Sequence, residues 1–140
     1  MRKQTLTLVG VLSLLLATGS ALAQNIHVQG NIPFQFVVDN DTMPADQYSI
    51  QSVGTPEGMT LLLRGEHSKA VRLINTHGVQ TTDSARQTKL LFKRYGSRYF
   101  LSGVWVAGNS AGHQLRKSPR EKEMALEYQP SEVVVMASLR

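Results

Sequence analysis

From Asn31 onward, apolar and polar residues alternate with a period of two. Turn residues interrupt the alternation roughly every 8–12 positions, the pattern of an all-β chain. The stretch from Thr88 to Val106 carries it most clearly. Gly96-Ser97 separates two strand-like runs, and glycine in the first central position suits a two-residue type II′ turn. Such a turn sets Tyr95 opposite Arg98, Arg94 opposite Tyr99, Phe92 opposite Leu101 and Leu90 opposite Gly103. Leu90, Phe92, Leu101 and Trp105 then share one face, which the pattern assigns to the core. The other face carries Lys89, Lys93, Arg98 and Ser102 beside Leu91, Tyr95, Phe100 and Val104, so it is expected to meet another element or a partner.

The same reading extends along the chain. Asn31 to Val38 reads as a first strand with Ile32, Phe34 and Phe36 on one face, and Pro33, which cannot donate to a ladder, puts its start at a sheet edge. Asp39 to Asp46 is a polar turn. Strands are expected from Gln47 to Val53, with Tyr48 and Ile50 on one face, from Met59 to Arg64 and from Lys69 to Thr76. His77 to Gln87 is polar and aperiodic, and reads as the most exposed connection. Ser118, Pro119 and Glu121 form a helix start with a capping box, and Pro130 stops the helix near Tyr128. Met124, Ala125 and Tyr128 are the residues that would hold it to the sheet. The run Val133-Val134-Val135-Met136 within a last strand, Glu132 to Ser138, suits a central strand covered on both faces.

The N-terminus reads as an address. Arg2 and Lys3 precede an apolar run from Leu6 to Leu16, and Ala21-Leu22-Ala23 supplies the small-x-small pattern of a signal-peptidase site, so residues 1–23 are expected to be a Sec-type signal peptide cleaved before Gln24. Residues 24–140 then form a single β-rich domain, secreted or periplasmic, with no membrane span after cleavage. Two of the 15 basic residues lie in the leader, leaving 13 against 10 acidic. The chain has no cysteine, which excludes disulfide scaffolds, thiolate metal sites and thiol nucleophiles. The expected fold class is all-β and mainly antiparallel: a β-sandwich or an open barrel of about seven or eight strands with one short C-terminal helix.

Three segments carry a resemblance. Asn31-Ile32-Pro33-Phe34-Gln35-Phe36-Val37-Val38 shortly after a leader, the hairpin from Leu90 to Ser102, and the basic stretch from Leu115 to Glu123 ahead of a Val-rich end together resemble small exported β-rich proteins that some environmental bacteria carry in several copies. No activity is assigned to that group, so the resemblance implies export and a β-rich domain and nothing further.

The chemistry-bearing residues are dispersed. Gly108-Asn109-Ser110-Ala111-Gly112 matches the nucleophile-elbow pattern, but the histidine after it, His113, precedes every remaining acid, against the order Ser, acid, His of that fold. A Gly-rich loop leaving a hairpin explains the same residues. His27, His67, His77 and His113 lack metal-ligand spacing, and Asp39, Asp41 and Asp46, close in sequence, lack the spacing of a calcium loop. No catalytic residue, metal site or cofactor is therefore assigned. Two basic groups remain. Arg86, Lys89, Lys93, Arg94 and Arg98 lie along the hairpin with Tyr95 and Tyr99 interleaved; Lys89, Lys93, Arg94, Arg98, Tyr95 and Tyr99 are the candidate ligand-binding residues. Arg116, Lys117, Arg120 and Lys122 surround the helix start, partly offset by Glu121, Glu123 and Glu127. Basic strands with interleaved rings suit anionic polymers, although lysines on an outer strand also serve against aggregation. The functional expectation is an exported, non-catalytic binding or structural module of the cell envelope. Its partner would be an anionic envelope polymer or another envelope protein, not nucleic acid. The alternatives are a binder of anionic polysaccharide through the hairpin, or a small envelope hydrolase with a loop-assembled site.

Overall fold

A computed structural model describes residues 26–54 and 59–140; the expected signal peptide, residues 1–23, lies outside them. Among the described residues ten strands and one helix follow one another: β1 His27–Ile32, β2 Phe36–Val38, β3 Asp41–Met43, β4 Asp46–Ser52, β5 Thr60–Gly65, β6 Val71–Gln80, β7 Lys89–Tyr95, β8 Arg98–Trp105, β9 Ala111–Leu115, α1 Pro119–Glu127 and β10 Ser131–Leu139. Eight of the strands form a cycle in the order β8-β7-β10-β1-β4-β5-β6-β9. It returns to β8 through the pairs Gly103↔Gln114 and Val104↔His113. Every rung of the cycle is antiparallel. The expected all-β class with one short helix is thus present, and the sheet is closed rather than open.

Eight strands leave an interior that side chains just fill. Inward positions supply Val28, Ile32, Tyr48, Ile50, Leu61, Leu63, Ile74, Leu90, Phe92, Leu101 and Val104, all buried. The period-two reading finds this face in β4, where Tyr48 and Ile50 point inward as expected.

Four expectations are corrected. Asn31 to Val38 is not one strand. β1 lies between β10 and β4, not at an edge, and the chain leaves the ladder at Pro33, which has no N–H to contribute. It re-forms as β2, which pairs in parallel with the start of β8 through Phe36↔Tyr99 and Val37↔Phe100 and folds back as β3. The supposed polar connection after His77 is partly strand, since β6 runs to Gln80 against β9. The loop that follows is tied to the β8–β9 turn by hydrogen bonds from Thr81 N to Ser110 O and from Ala85 N to Asn109 O, both 2.9 Å. β10 is central but not covered on both faces: Val133, Val135 and Ala137 pack on the core, while Val134 and Met136 are 47% and 51% exposed. A barrel has one inside, and among the described residues nothing lies over the outer face of this strand.

The fourth correction concerns the hairpin. Gly96 has φ +62° and Ser97 a negative φ, as a type II′ turn requires, and the pairs nearest the turn are those expected. Beyond Phe92↔Leu101 the next pair is Leu91↔Gly103, so Ser102 is an extra residue, a β-bulge. From there the faces exchange. Val104, not Trp105, enters the core opposite Leu90, and Trp105 lies outside across β9, its ring on Gly112 where a Cβ would have no room.

Two features outside the cylinder position the candidate site. The β2–β3 ribbon occupies the first part of the β8 edge that β9 pairs further along, and Arg72 of β6 pairs with Asp41 and, at 3.8 Å, with Asp39. On the outer face of the hairpin, Tyr95, Phe100 and Val37 form a second small core with Met124 of α1 packed against it. This is the element that the mixed face was expected to meet. Ser118 caps α1, its Oγ accepting from Glu121 N at 3.2 Å. Of the three expected anchors, Met124 packs inward and Tyr128 lays its ring against Gly96, while Ala125 is exposed.

Candidate functional site

The site is built around the first turn of α1. Glu121 is carried under the helix by the N-cap geometry and is buried. Its carboxylate accepts from the Tyr95 hydroxyl at 2.8 Å, where a capping box would have returned it to the backbone of Ser118. Burial, reinforced by the Glu121 hydrogen bond and charge, pushes the Tyr95 phenol up to about 12. Tyr95 is therefore a fixed strut between hairpin and helix. Wholly buried, it offers no face to a ligand.

On one flank of α1 lies a cleft of about 460 Å³ between the β2–β3 ribbon, the hairpin turn and the helix. Gln35, Thr42 and Ser97 give it hydroxyl and amide groups, Phe34 and Tyr99 an aromatic wall, and Arg98 and Arg120 its charge. Among the described residues no acidic side chain lines it. The Tyr99 ring is already engaged: Phe34 stacks on it at 3.9 Å between centroids, and the Arg94 guanidinium stands 5.5 Å from its centroid. Arg94 Nε also donates to Gly96 O at 2.7 Å, so this side chain braces the turn.

On the opposite flank a second cleft, of about 340 Å³, is lined by Lys93, Arg116, Lys117 and Lys122, with His77, Ser102, Gln114 and Glu121. Ser102 lines it beside Lys93, on the face where the alternation expects both. Lys89 belongs to neither, lying near Thr82, Asp83 and Trp105 further round the barrel. The six residues expected from the hairpin are thus not one surface. Arg98 and Tyr99 line the first cleft, Lys93 lines the second, Arg94 braces the turn, Tyr95 is internal and Lys89 stands apart. Arg120, Gln35 and Thr42 were absent from the expected set. The capping box places Arg120 in the first turn, but nothing local in the sequence brings the ribbon to it.

Charge pairing sharpens the picture. Among the described residues the ion pairs are His67–Asp46, Arg72–Asp39 and Arg72–Asp41, so the cations of both clefts have no acidic partner within salt-bridge distance. The three aspartates weighed for calcium are not brought together. Asp39 and Asp41 face Arg72, whereas Asp46 is buried under the β5–β6 turn. There the Ser68 backbone N–H, 2.7 Å away, holds its carboxyl well below the usual aspartate range, aided by Ser68 and His67 side chains and Gln47 N–H.

The nucleophile-elbow pattern falls in the turn between antiparallel β8 and β9, not between a parallel strand and a helix. His113 Nδ1 meets Thr76 Oγ1 at 3.3 Å, and that hydroxyl gives its single proton to Met59 O at 2.7 Å. The imidazole is therefore the donor in this pair and cannot act on Thr76 as a base; burial holds its pKa below the usual histidine value. Among the described residues no helix is long and apolar enough to cross a membrane. Comparison with protein-family models, curated proteins and solved structures finds no match for the chain.

Proposed function

We propose that the chain is an exported, non-catalytic binding module of the cell envelope, and that its ligand is a carboxylate-bearing envelope polysaccharide. One observation carries this reading: among the described residues Arg98 and Arg120 stand without acidic partners in a cleft of about 460 Å³ that has no carboxylate in its wall. Guanidinium groups hold carboxylates bidentately, and Gln35, Thr42 and Ser97 match the hydroxyl groups of a sugar. The leader pattern of residues 1–23 and the three segments that resemble exported β-rich proteins support export.

The test uses the protein recovered from cells expressing the full chain. Its intact mass should begin at Gln24. Titration with polygalacturonate should give binding that weakens by about tenfold or more between roughly 50 and 200 mM salt, while neutral dextran gives none. Replacing Arg98 and Arg120 together by Glu should abolish it, since a charged hydrogen bond contributes about 1.5–3 kcal/mol. Salt-independent binding, or an unchanged titration in that variant, would overturn the reading.

A further inference from the structure

We infer that the second cleft is a second anion subsite for the same ligand, so that the ligand is a chain whose charged units straddle the first turn of α1. The inference rests on the reading above. The helix advances 100° per residue, so Arg120 and Lys122, two residues apart, project to opposite flanks, and each lines a different cleft. The hairpin is divided in the same way, with Ser97, Arg98 and Tyr99 on one side and Lys93 and Ser102 on the other. The second cleft holds four cations, Lys93, Arg116, Lys117 and Lys122, against one carboxylate, Glu121. That carboxylate is buried and takes the Tyr95 hydroxyl, and among the described residues no salt bridge joins it to the cations. Two cationic clefts separated by the width of one helix, about 10 Å, suit regularly spaced charge along a polymer and have no use for a monovalent anion.

The arrangement predicts avidity. A ligand long enough to reach both clefts gains about 100-fold or more over one that fills a single cleft. Titration with galacturonate oligomers of increasing length should therefore show a step in affinity, not a gradual rise. Replacing Lys93, partly exposed, and Lys117, exposed, together by Glu should remove the step and cut polymer affinity about 100-fold while leaving short oligomers unaffected; a matched thermal melt confirms that the variant is folded. The variant with Arg98 and Arg120 reversed should lose short and long ligands alike. If the Lys93/Lys117 variant binds the polymer as tightly as the unaltered protein, or affinity is independent of length, the second subsite is refuted and the first cleft stands. If only the Lys93/Lys117 variant loses binding, the assignment of the first cleft is refuted as well.

Discussion

Tyr95 is the residue on which hairpin and helix depend together. Its hydroxyl is the donor that satisfies a buried carboxylate, and an unsatisfied buried acceptor is costly. Tyr95→Phe should destabilise the protein by about 1.5–3 kcal/mol, read as a shift in the denaturant midpoint. The sign of the pH effect follows from the raised pKa. Stability from the neutral phenol is fully present below pH 10 and is lost as the pH rises toward 12, and the Phe variant should lack this alkaline slope. The sequence alone identifies Tyr95 as outward-facing, which is right about its direction. What lies outside at that position was not legible, because the helix that covers it comes more than twenty residues later. Trp105 illustrates the complementary failure. One bulged serine reverses its face, and nothing in the apolar alternation marks Ser102 as an extra residue.

Elements were easier to find than their partners. The cap of α1 is written in Ser118-Pro119-Arg120-Glu121 and forms where the spacing places it. Ser118→Ala should cost about 1 kcal/mol and, by loosening the first turn, should weaken polymer binding more than a cap unconnected to a site would. In the sequence the β2–β3 ribbon reads as a strand end and a polar turn, since three-residue strands carry too little alternation to recognise. It joins the barrel through two rungs to β8, the Arg72 pairs and the packing of Phe36, Val38 and Met43 into the core. Those pairs are half-exposed, so Arg72→Ala should change global stability by less than about 1 kcal/mol. Amide exchange at Phe36, Val37 and Val38 should nevertheless quicken, because the loss falls on one local unit. Equal acceleration across β4 and β5 would show that the ribbon is not separable.

At the level of the whole molecule, the strands were legible and the closure was not. Period two reports which side of a strand is apolar, but the return of β9 to β8 depends on how far each strand is staggered, which no local pattern records. The candidate site divides likewise: its charges were visible in the chain, whereas their partition between two clefts is a product of the helix lying across the hairpin. The pH response should also be collective. His113, with its pKa lowered by burial, contributes stability that is present above pH 6.5 and fades as the pH falls below it. Asp46, held low chiefly by the Ser68 N–H, adds a further loss below pH 3.8. A thermal-melt series should accordingly show two acid-side declines, with His113→Gln removing the first. The closed cylinder has a last consequence. A sheet joined to itself leaves no rim for strand-by-strand templating between molecules. Among the described strands only β3, three residues long and bearing the exposed Asp41, keeps an unpaired side. Within the described residues, the closed topology thus leaves that short strand as the one side on which a neighbouring molecule's strand could pair along its whole length.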